Sequence, residues 1–395
     1  MRKTYKYRLY PNKATQQKLY FVLNRCRELY NAGLSERRDA YRLAGKSISY
    51  YDQQNDLPEI KHEIRPEYED IAAHVLQDVL NRLHKAFQDF FRRCKNGEKP
   101  GYPRFQGRNR YDSFTYPDGA GWRFDGTHLH LSKIGSLKVK LHREIQGKIK
   151  TATIKREVDQ WYVCFSCEVE EPEQLPVSYE DVGIDLGVSH LATLSTGEMI
   201  EHPRYYRKAK KTLETRQQAL SRKKRGSHRR DKARKLVGKA HRKVARQRKD
   251  FLHKESRKLV TRFQVIVFED IQIANLTKHA KPKQDEETGQ YLPNGASAKS
   301  GLTKSILDAG WGTFMLLCEV KAAWAGRSMI KVNPRYTSQV CTLCGTVRKK
   351  TLAERWHSCD CGAELDRDVN AAMNILWLGT SQLRNGQKPL SSRQR

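Results

Sequence analysis

The sequence predicts a multidomain α/β protein, and three observations carry that prediction. The apolar run Val182-Gly183-Ile184-Asp185-Leu186-Gly187-Val188 reads as a buried strand with one carboxylate inside it. Ahead of it lie two stretches with helical periodicity and a Gly- and Pro-punctuated stretch with strand alternation. Behind it lie two cysteine pairs, Cys341/Cys344 and Cys359/Cys361, each ending in Cys-Gly. At 395 residues the chain is long enough for two to four domains with cores of their own.

Residues 1–10 alternate basic and aromatic side chains, which predicts a strand ended by Pro11-Asn12. Leu19, Val22, Leu23, Cys26, Leu29, Tyr30 and Leu34 then recur at helical spacing, so an amphipathic helix runs from about Lys13 to beyond Arg38. A second helix carries Leu76, Val79, Leu80, Leu83, Phe87, Phe90 and Phe91. From Lys99 the pattern changes. Gly101, Pro103 and Pro117-Asp118-Gly119 break helices, whereas Leu129/Leu131 and Leu137/Val139/Leu141 alternate as strands. Residues 149–169 read as a hairpin turning near Asp159-Gln160, and the whole as a small β-barrel. Cys164 and Cys167 point to opposite faces of such a strand, so they read as structural.

Glu171-Pro172-Glu173-Gln174-Leu175-Pro176 marks a linker. Beyond it, residues 207–258 hold 23 Lys/Arg against 4 Asp/Glu, which accounts for 19 of the 31 excess positive charges. Leucines and valines spread along this stretch predict two long antiparallel helices joined near Gly226-Ser227. Charge of this density repels itself unless phosphates neutralise it, so it reads as a nucleic-acid surface, with Arg222, Lys223, Lys224 and Arg225 at the turn. Residues 278–301 are polar and read as a mobile insertion or lid, with a role-free insert as the alternative. A helix is predicted over 308–327, a strand over 329–332, and an unstructured tail from 378.

The net charge of +31 calls for a polyanionic partner. No apolar run approaches the roughly 20 residues that span a bilayer, and residues 1–10 lack a signal-peptide core. Nucleic acid in the cytoplasm, at the nucleoid, is the expected setting, with no membrane partner. Nine cysteines, an odd number in a long chain, argue against a disulfide framework and for reduced thiols or a metal site.

An unpaired carboxylate inside an apolar strand is costly unless a cation neutralises it. Two more acids stand in comparable settings: Glu269, ending the run 263–268, and Asp368, in Leu365-Asp366-Arg367-Asp368-Val369-Asn370-Ala371-Ala372. Taken singly, each has a plainer role, since Asp185 could cap a turn, Glu269 face water, and Asp366 or Asp368 cap a helix. The order strand-Asp, strand-Glu, helix-Asp points instead to a shared cation site.

That combination resembles the RuvC-type nuclease of the TnpB (OrfB) proteins of insertion sequences, relatives of the compact type V CRISPR effectors. The resemblance rests on Gly183 to Gly187, Val267-Phe268-Glu269-Asp270-Ile271, Asp308-Ala309-Gly310-Trp311-Gly312, Tyr336-Thr337-Ser338-Gln339-Val340-Cys341 and Asp366-Arg367-Asp368-Val369-Asn370-Ala371-Ala372. Arg8-Leu9-Tyr10-Pro11 and Gly101-Tyr102-Pro103-Arg104-Phe105 extend it over nearly the whole chain.

The resemblance implies an RNase H-like (RuvC) core with an inserted zinc knuckle, an N-terminal helical bundle and a small β-barrel. The division it implies is 1–10, first barrel (wedge) strand; 11–97, helical recognition domain; 98–172, barrel; 173–181, linker. There follow 182–332, nuclease core with the basic pair 207–258 and insertion 278–301; 333–365, zinc knuckle; 366–377, last core helix; 378–395, flexible tail. It implies an RNA-guided DNA endonuclease that carries a guide RNA from the transposon end and cuts double-stranded DNA beside a short motif. It makes Asp185, Glu269 and Asp368 the expected catalytic acids. Their oxygen ligands suit two Mg²⁺ or Mn²⁺ ions about 4 Å apart, Asp185 bridging them, with water attacking in line. Tyr50, Gln54, Gln77 and Thr115 match the motif-reading positions. Four thiolates from Cys341, Cys344, Cys359 and Cys361 suit one structural zinc, although the second pair is CxC where most of the family shows CxxC, which leaves His357 open as a substitute. Arg367 either steadies a phosphate or pairs with an acid. The oligomeric state is open, a monomer being favoured. Two rival functions stay open: a guide-dependent repressor that does not cut, and a guide-independent transposase or resolvase.

Overall fold

The computed structural model describes residues 1–385, apart from 109, 118, 172, 352 and 353. The chain forms two compact α/β units, Met1–Glu171 and Pro172–Arg395.

In the first unit, strand β1 (Arg2–Tyr10) leads into helix α1 (Lys13–Ala44), whose start is capped by the Asn12 side chain accepting from the Thr15 amide and whose end is a left-handed Gly45. Short helical turns over residues 50–70 connect it to α2 (Ala73–Lys95). The two long helices meet through the predicted apolar stripes, with Leu19, Leu23, Cys26, Val79, Leu80 and Leu83 buried. Six strands follow: β2 (Ser113–Tyr116), β3 (Trp122–Phe124), β4 (His128–Leu131), β5 (Gly135–Lys140), β6 (Lys148–Glu157) and β7 (Gln160–Glu168). With β1 they make an antiparallel sheet in the order β2-β6-β7-β1-β5-β4-β3. Its outer strands β2 and β3 are joined by residues 117–121, so the sheet curls, and the Tyr116 hydroxyl donates to the Ser132 carbonyl at 2.9 Å. No ladder joins β2 to β3 among the described residues. On β7, Trp161, Val163, Phe165 and Cys167 are buried and Cys164 is not, as strand alternation requires.

The second unit is built on a mixed five-stranded sheet. Its strands are β8 (Asp181–Asp185), β9 (His190–Leu194), β10 (Met199–Glu201), β11 (Val265–Glu269) and β12 (Ser328–Val332), in the order β10-β9-β8-β11-β12. β8 runs parallel to β11, and β11 to β12. Helices α3 (Tyr205–Ser221) and α4 (His228–Arg262) form the basic pair. They are antiparallel, because Arg230 donates to the Leu220 carbonyl while Arg216 donates to that of Leu236. Helices α5 (Ala296–Ala309) and α6 (Trp311–Trp324) follow, and α7 (Arg367–Arg384) closes the unit. Val182, Ile184, Ile266 and Phe268 form one core with residues of α4 and α6; Val265, Val267, Ile330 and Val332 form another with Ile375 of α7. The sheet is therefore covered on both faces, which is why β8 and β11 read as near-continuous apolar runs.

Three expectations need correction. The helix predicted over 308–327 is two helices that start at Ala296 and break at Gly310, whose φ of 74° is left-handed. Residues 296–301 of the predicted insertion are thus helical, and Lys283–Gln284 pairs with Tyr291–Leu292 as a small hairpin. Residues 378–384 of the predicted tail are helical, since α7 runs to Arg384 and Gly379 sits against Val267; residues 386–395 of that prediction lie outside the described residues. The linker 173–181 is tied down: the Leu175 amide donates to the Ala325 carbonyl and the Ser178 hydroxyl to that of Arg262.

Candidate active site

The position of the three acids follows from how α7 lies on the sheet. Gly183 of β8 faces that helix so closely that a Cβ there would stand 2.0 Å from the Ala372 carbonyl oxygen and 2.6 Å from the Leu376 amide nitrogen. Gly379 likewise sits on Val267 of β11, where a Cβ would be 2.5 Å from a valine methyl. Two residues beyond Gly183 on the same strand face is Asp185, and one helical turn before Ala372 is Asp368. The neighbouring strand is in register, Val267 beside Gly183 and Phe268 beside Ile184, so Glu269 ends β11 next to Asp185. Two strand ends and one helix start thus bring their carboxylates within electrostatic reach of one another.

Electrostatics agrees with that placement. Burial first, then the Glu269 and Asp368 carboxylates, push the Asp185 carboxyl up to about 8, against a downward pull from Arg367. Burial raises Glu269 too, while a hydrogen bond from the Thr337 hydroxyl lowers it. Asp368 lies 3.5 Å from Nε of Arg367. Asp366 caps α7, its side chain accepting from the amides of Asp368 and Val369 at 2.8 and 3.3 Å, and so stands apart from the three in role. The donor set, three half-buried carboxylates with hard oxygens, suits a divalent cation such as Mg²⁺ or Mn²⁺.

The cysteines form a second cluster. The four Sγ atoms of Cys341, Cys344, Cys359 and Cys361 lie within 4.8 Å of one another, with Cys341 to Cys361 at 3.7 Å and Cys344 to Cys359 at 3.6 Å. Tetrahedral zinc with Zn–S bonds of about 2.3 Å needs sulfurs about 3.8 Å apart, so the set fits zinc and leaves no open position. Each pair closes on a left-handed glycine, Gly345 and Gly362. His357 is outside the cluster; it is fully buried, and its Nδ1 accepts from the Lys350 ammonium.

The remaining candidates are spread over both units. Tyr50 is half-buried, its ring 5.7 Å from that of His84 on α2. Gln54 and Gln77 are half-buried as well. Thr115 is engaged, its hydroxyl accepting from Arg82 and lying 2.9 Å from that of Thr153. Arg222, Lys223, Lys224 and Arg225 are exposed in the turn between α3 and α4.

Several residues have structural roles that the sequence did not assign, Asp308, Trp311 and Asn370 having entered only as parts of quoted motifs. The Trp311 indole donates to the Gly187 carbonyl at 3.2 Å, fixing the loop that follows Asp185. Asp308, buried, accepts from the amides of Tyr206 and Arg207 at 2.9 to 3.3 Å, capping α3 from a distant part of the chain. Asn370 and Asn374 of α7 grip the segment before the first cysteine pair. The i, i+4 spacing of these asparagines, two and six residues after Asp368, was the available signal.

Comparison with known families and proteins gives a consistent result. The OrfB_IS605 profile, described as "Probable transposase", matches residues 164–280; "Cas12f1-like, TNB domain" matches 311–375, and the helix-turn-helix domain of OrfB_IS605 matches 1–46. "Putative RNA-guided DNA endonuclease InsQ" of Escherichia coli (strain K12) is 30% identical over 98% of this chain and 95% of its own length. A "Putative RNA-guided DNA endonuclease" of Streptomyces pristinaespiralis is 32% identical over 96% of this chain and 90% of its own. "CRISPR-associated endodeoxyribonuclease Cas12f1" of Sulfoacidibacillus thermotolerans is 28% identical over 55% of this chain and 50% of its own.

Proposed function

Since this chain belongs to the OrfB (TnpB) family of IS605-type elements, we propose that it is an RNA-guided DNA endonuclease whose RuvC-like site is Asp185, Glu269 and Asp368. The observation that carries the site assignment is the convergence of these carboxylates at the ends of β8 and β11 and the start of α7, where burial and mutual repulsion push Asp185 up to about 8. A site that holds three acids at such cost is one built for cations.

Asp185, Glu269 and Asp368 would hold Mg²⁺ or Mn²⁺, which when bound makes water nucleophilic and stabilises the leaving oxygen of a phosphodiester. Asp185 is the acid on which the charges of both others act, and the three would hold the ions together. Asp366 keeps α7 capped, so that Asp368 stays in the first turn, near the positive end of the helix. The four thiolates would hold one structural zinc. The exposed cations of the turn between α3 and α4 would contact RNA backbone, and Tyr50, Gln54, Gln77 and Thr115 would face the short DNA motif beside the target. Under this reading 1–10 and 98–172 form the wedge barrel, 11–97 the recognition domain and 182–332 with 366–384 the RNase H-like core. A guide RNA from the transposon end would select the double-stranded target.

The test is to purify the protein from cells that carry its own locus, sequence the RNA that accompanies it, and challenge the complex with matching DNA. The wild-type complex is expected to cut. Asp185→Ala is expected to keep RNA and target binding and lose cleavage by at least about three orders of magnitude, the scale of removing a metal-centred charge stabilisation. Cutting by this variant at the wild-type rate would remove the assigned site. RNA and DNA binding without cutting by the wild type would favour the repressor reading.

A further inference from the structure

The Tyr336 to Val340 segment has no role in the reading above, yet it touches the site directly. The Thr337 hydroxyl donates to Oε1 of Glu269 at 2.5 Å, and its alternative acceptor, the Pro334 carbonyl, is farther at 3.3 Å. Thr337 is 5% exposed, so its hydroxyl is shielded from bulk solvent. It is the one hydrogen bond to the Glu269 carboxylate among the described residues, and it leaves Oε2 without one.

The segment is held in turn by α7. Asn374 Nδ2 donates to the carbonyls of Thr337 and Val340, at 2.9 and 2.8 Å. Asn370 Nδ2 donates to the Val340 carbonyl at 2.8 Å, and its Oδ1 accepts from the Thr342 amide at 3.1 Å. Tyr336, just before Thr337, has a φ of 63°, a left-handed conformation that a tyrosine adopts only when its surroundings impose it. The helix that presents Asp368 therefore also fixes the backbone from which Thr337 reaches Glu269, and the same clamp adjoins Cys341.

We propose that Thr337 is a positioning residue for the metal site, orienting Glu269 through its hydroxyl so that the second carboxylate oxygen is presented to the cation, with Asn374 holding Thr337 in place. The inference rests on the reading of Asp185, Glu269 and Asp368 as cation ligands. A partner of this kind, one bond removed from a metal, typically changes metal affinity by about 10- to 100-fold when removed. Valine matches threonine in shape and lacks only the hydroxyl; serine keeps the hydroxyl and loses a methyl.

The experiment is a Mn²⁺ titration of the full-length, zinc-loaded, RNA-free chain by calorimetry, with Asp185→Asn as the baseline for weak surface binding. Thr337→Val is expected to weaken Mn²⁺ binding by about tenfold or more, and Thr337→Ser to stay within about threefold of wild type. In the RNA-loaded complex, Thr337→Val is expected to need a correspondingly higher Mg²⁺ concentration for half-maximal cleavage. Zinc content and circular dichroism report folding; should the valine variant not fold, Thr337→Ala carries the same prediction. A folded variant without the hydroxyl that binds Mn²⁺ as the wild type does overturns the inference and leaves the metal site standing. Wild-type binding no tighter than that of Asp185→Asn overturns the metal site itself.

Discussion

At the scale of single residues, the site depends on a hydrogen atom in place of a side chain. Gly183 is not needed for a left-handed turn, since it lies within β8 and pairs normally, its amide donating to Ser195 Oγ at 3.1 Å. It is needed because α7 rests directly on its Cα. In Gly183→Ala the new methyl would meet the Ala372 carbonyl at 2.0 Å, a backbone atom that cannot rotate away, so α7 must lift. Overpacking of this kind costs about 1–3 kcal/mol, and here it also displaces the helix that carries Asp368. The expected outcome is a lowered unfolding midpoint together with loss of cleavage and unchanged RNA binding. Gly301→Ala is the control: Gly301 lies in α5 with nothing within 4 Å of a Cβ, and alanine there should be neutral or stabilise by about 0.5–1 kcal/mol. Wild-type cleavage by Gly183→Ala would mean that the helix does not sit where the geometry puts it.

At the scale of elements, the parts with local causes were legible in the sequence and the parts with distant causes were not. The helices α1, α2 and α4 and the β6–β7 hairpin follow from periodicity, because each buries the face its own spacing defines, and the strands β8 and β11 from their near-continuous apolar runs. The break between α5 and α6 was missed because Gly310 sits inside an otherwise helical pattern. What stops the helix is packing, with Leu252 and Arg248 of α4 at 3.1 and 3.3 Å from where a Cβ would be. The roles of Asp308, Trp311 and Asn374 were likewise out of reach, since their partners lie 102, 124 and 37 residues away. Asp185 stood out because a buried acid in an apolar strand violates a local rule, and such violations gather at functional sites, whereas Asp368, in a helix, was singled out over Asp366 by the family resemblance. The cysteine knuckle stands between these cases: its ligands are local, but its attachment to α7 through Asn370 and Asn374 is not. Loss of zinc should therefore be felt at the carboxylates. Cys341→Ser is expected to lose the ion, measured as zinc per chain, and to reduce cleavage along with stability. A variant that keeps full cleavage without zinc would show the knuckle to be independent of the acid site.

At the scale of the whole chain, charge decides the partner. Residues 207–258 contribute 19 of the 31 excess positive charges, and their four acids are already committed to ion pairs, Glu214 with Lys210, Asp231 with Arg234, Asp250 with Lys254 and Glu255 with Lys258. Three of these pairs are exposed and contribute little to stability, and four acids cannot offset 23 cations, so the stretch is not arranged to neutralise itself. It is held together by apolar packing instead, Leu213 on α3 and Val237, Val244, Leu252 and Leu259 on α4 being buried, which leaves the cations outward for phosphate. Counterion release then makes binding fall with salt, and removing one cation that neutralises a phosphate of single-stranded RNA should reduce the log–log slope by about 0.7. Replacing Arg222, Lys223, Lys224 and Arg225 together by alanine should therefore weaken guide RNA binding most at low salt and flatten its salt dependence by about 2 to 3. The chain's stability should stay unchanged, since all four side chains are exposed. An unaltered slope in filter-binding measurements across salt concentrations would place the RNA elsewhere, and would leave this run of charge as a solvated turn.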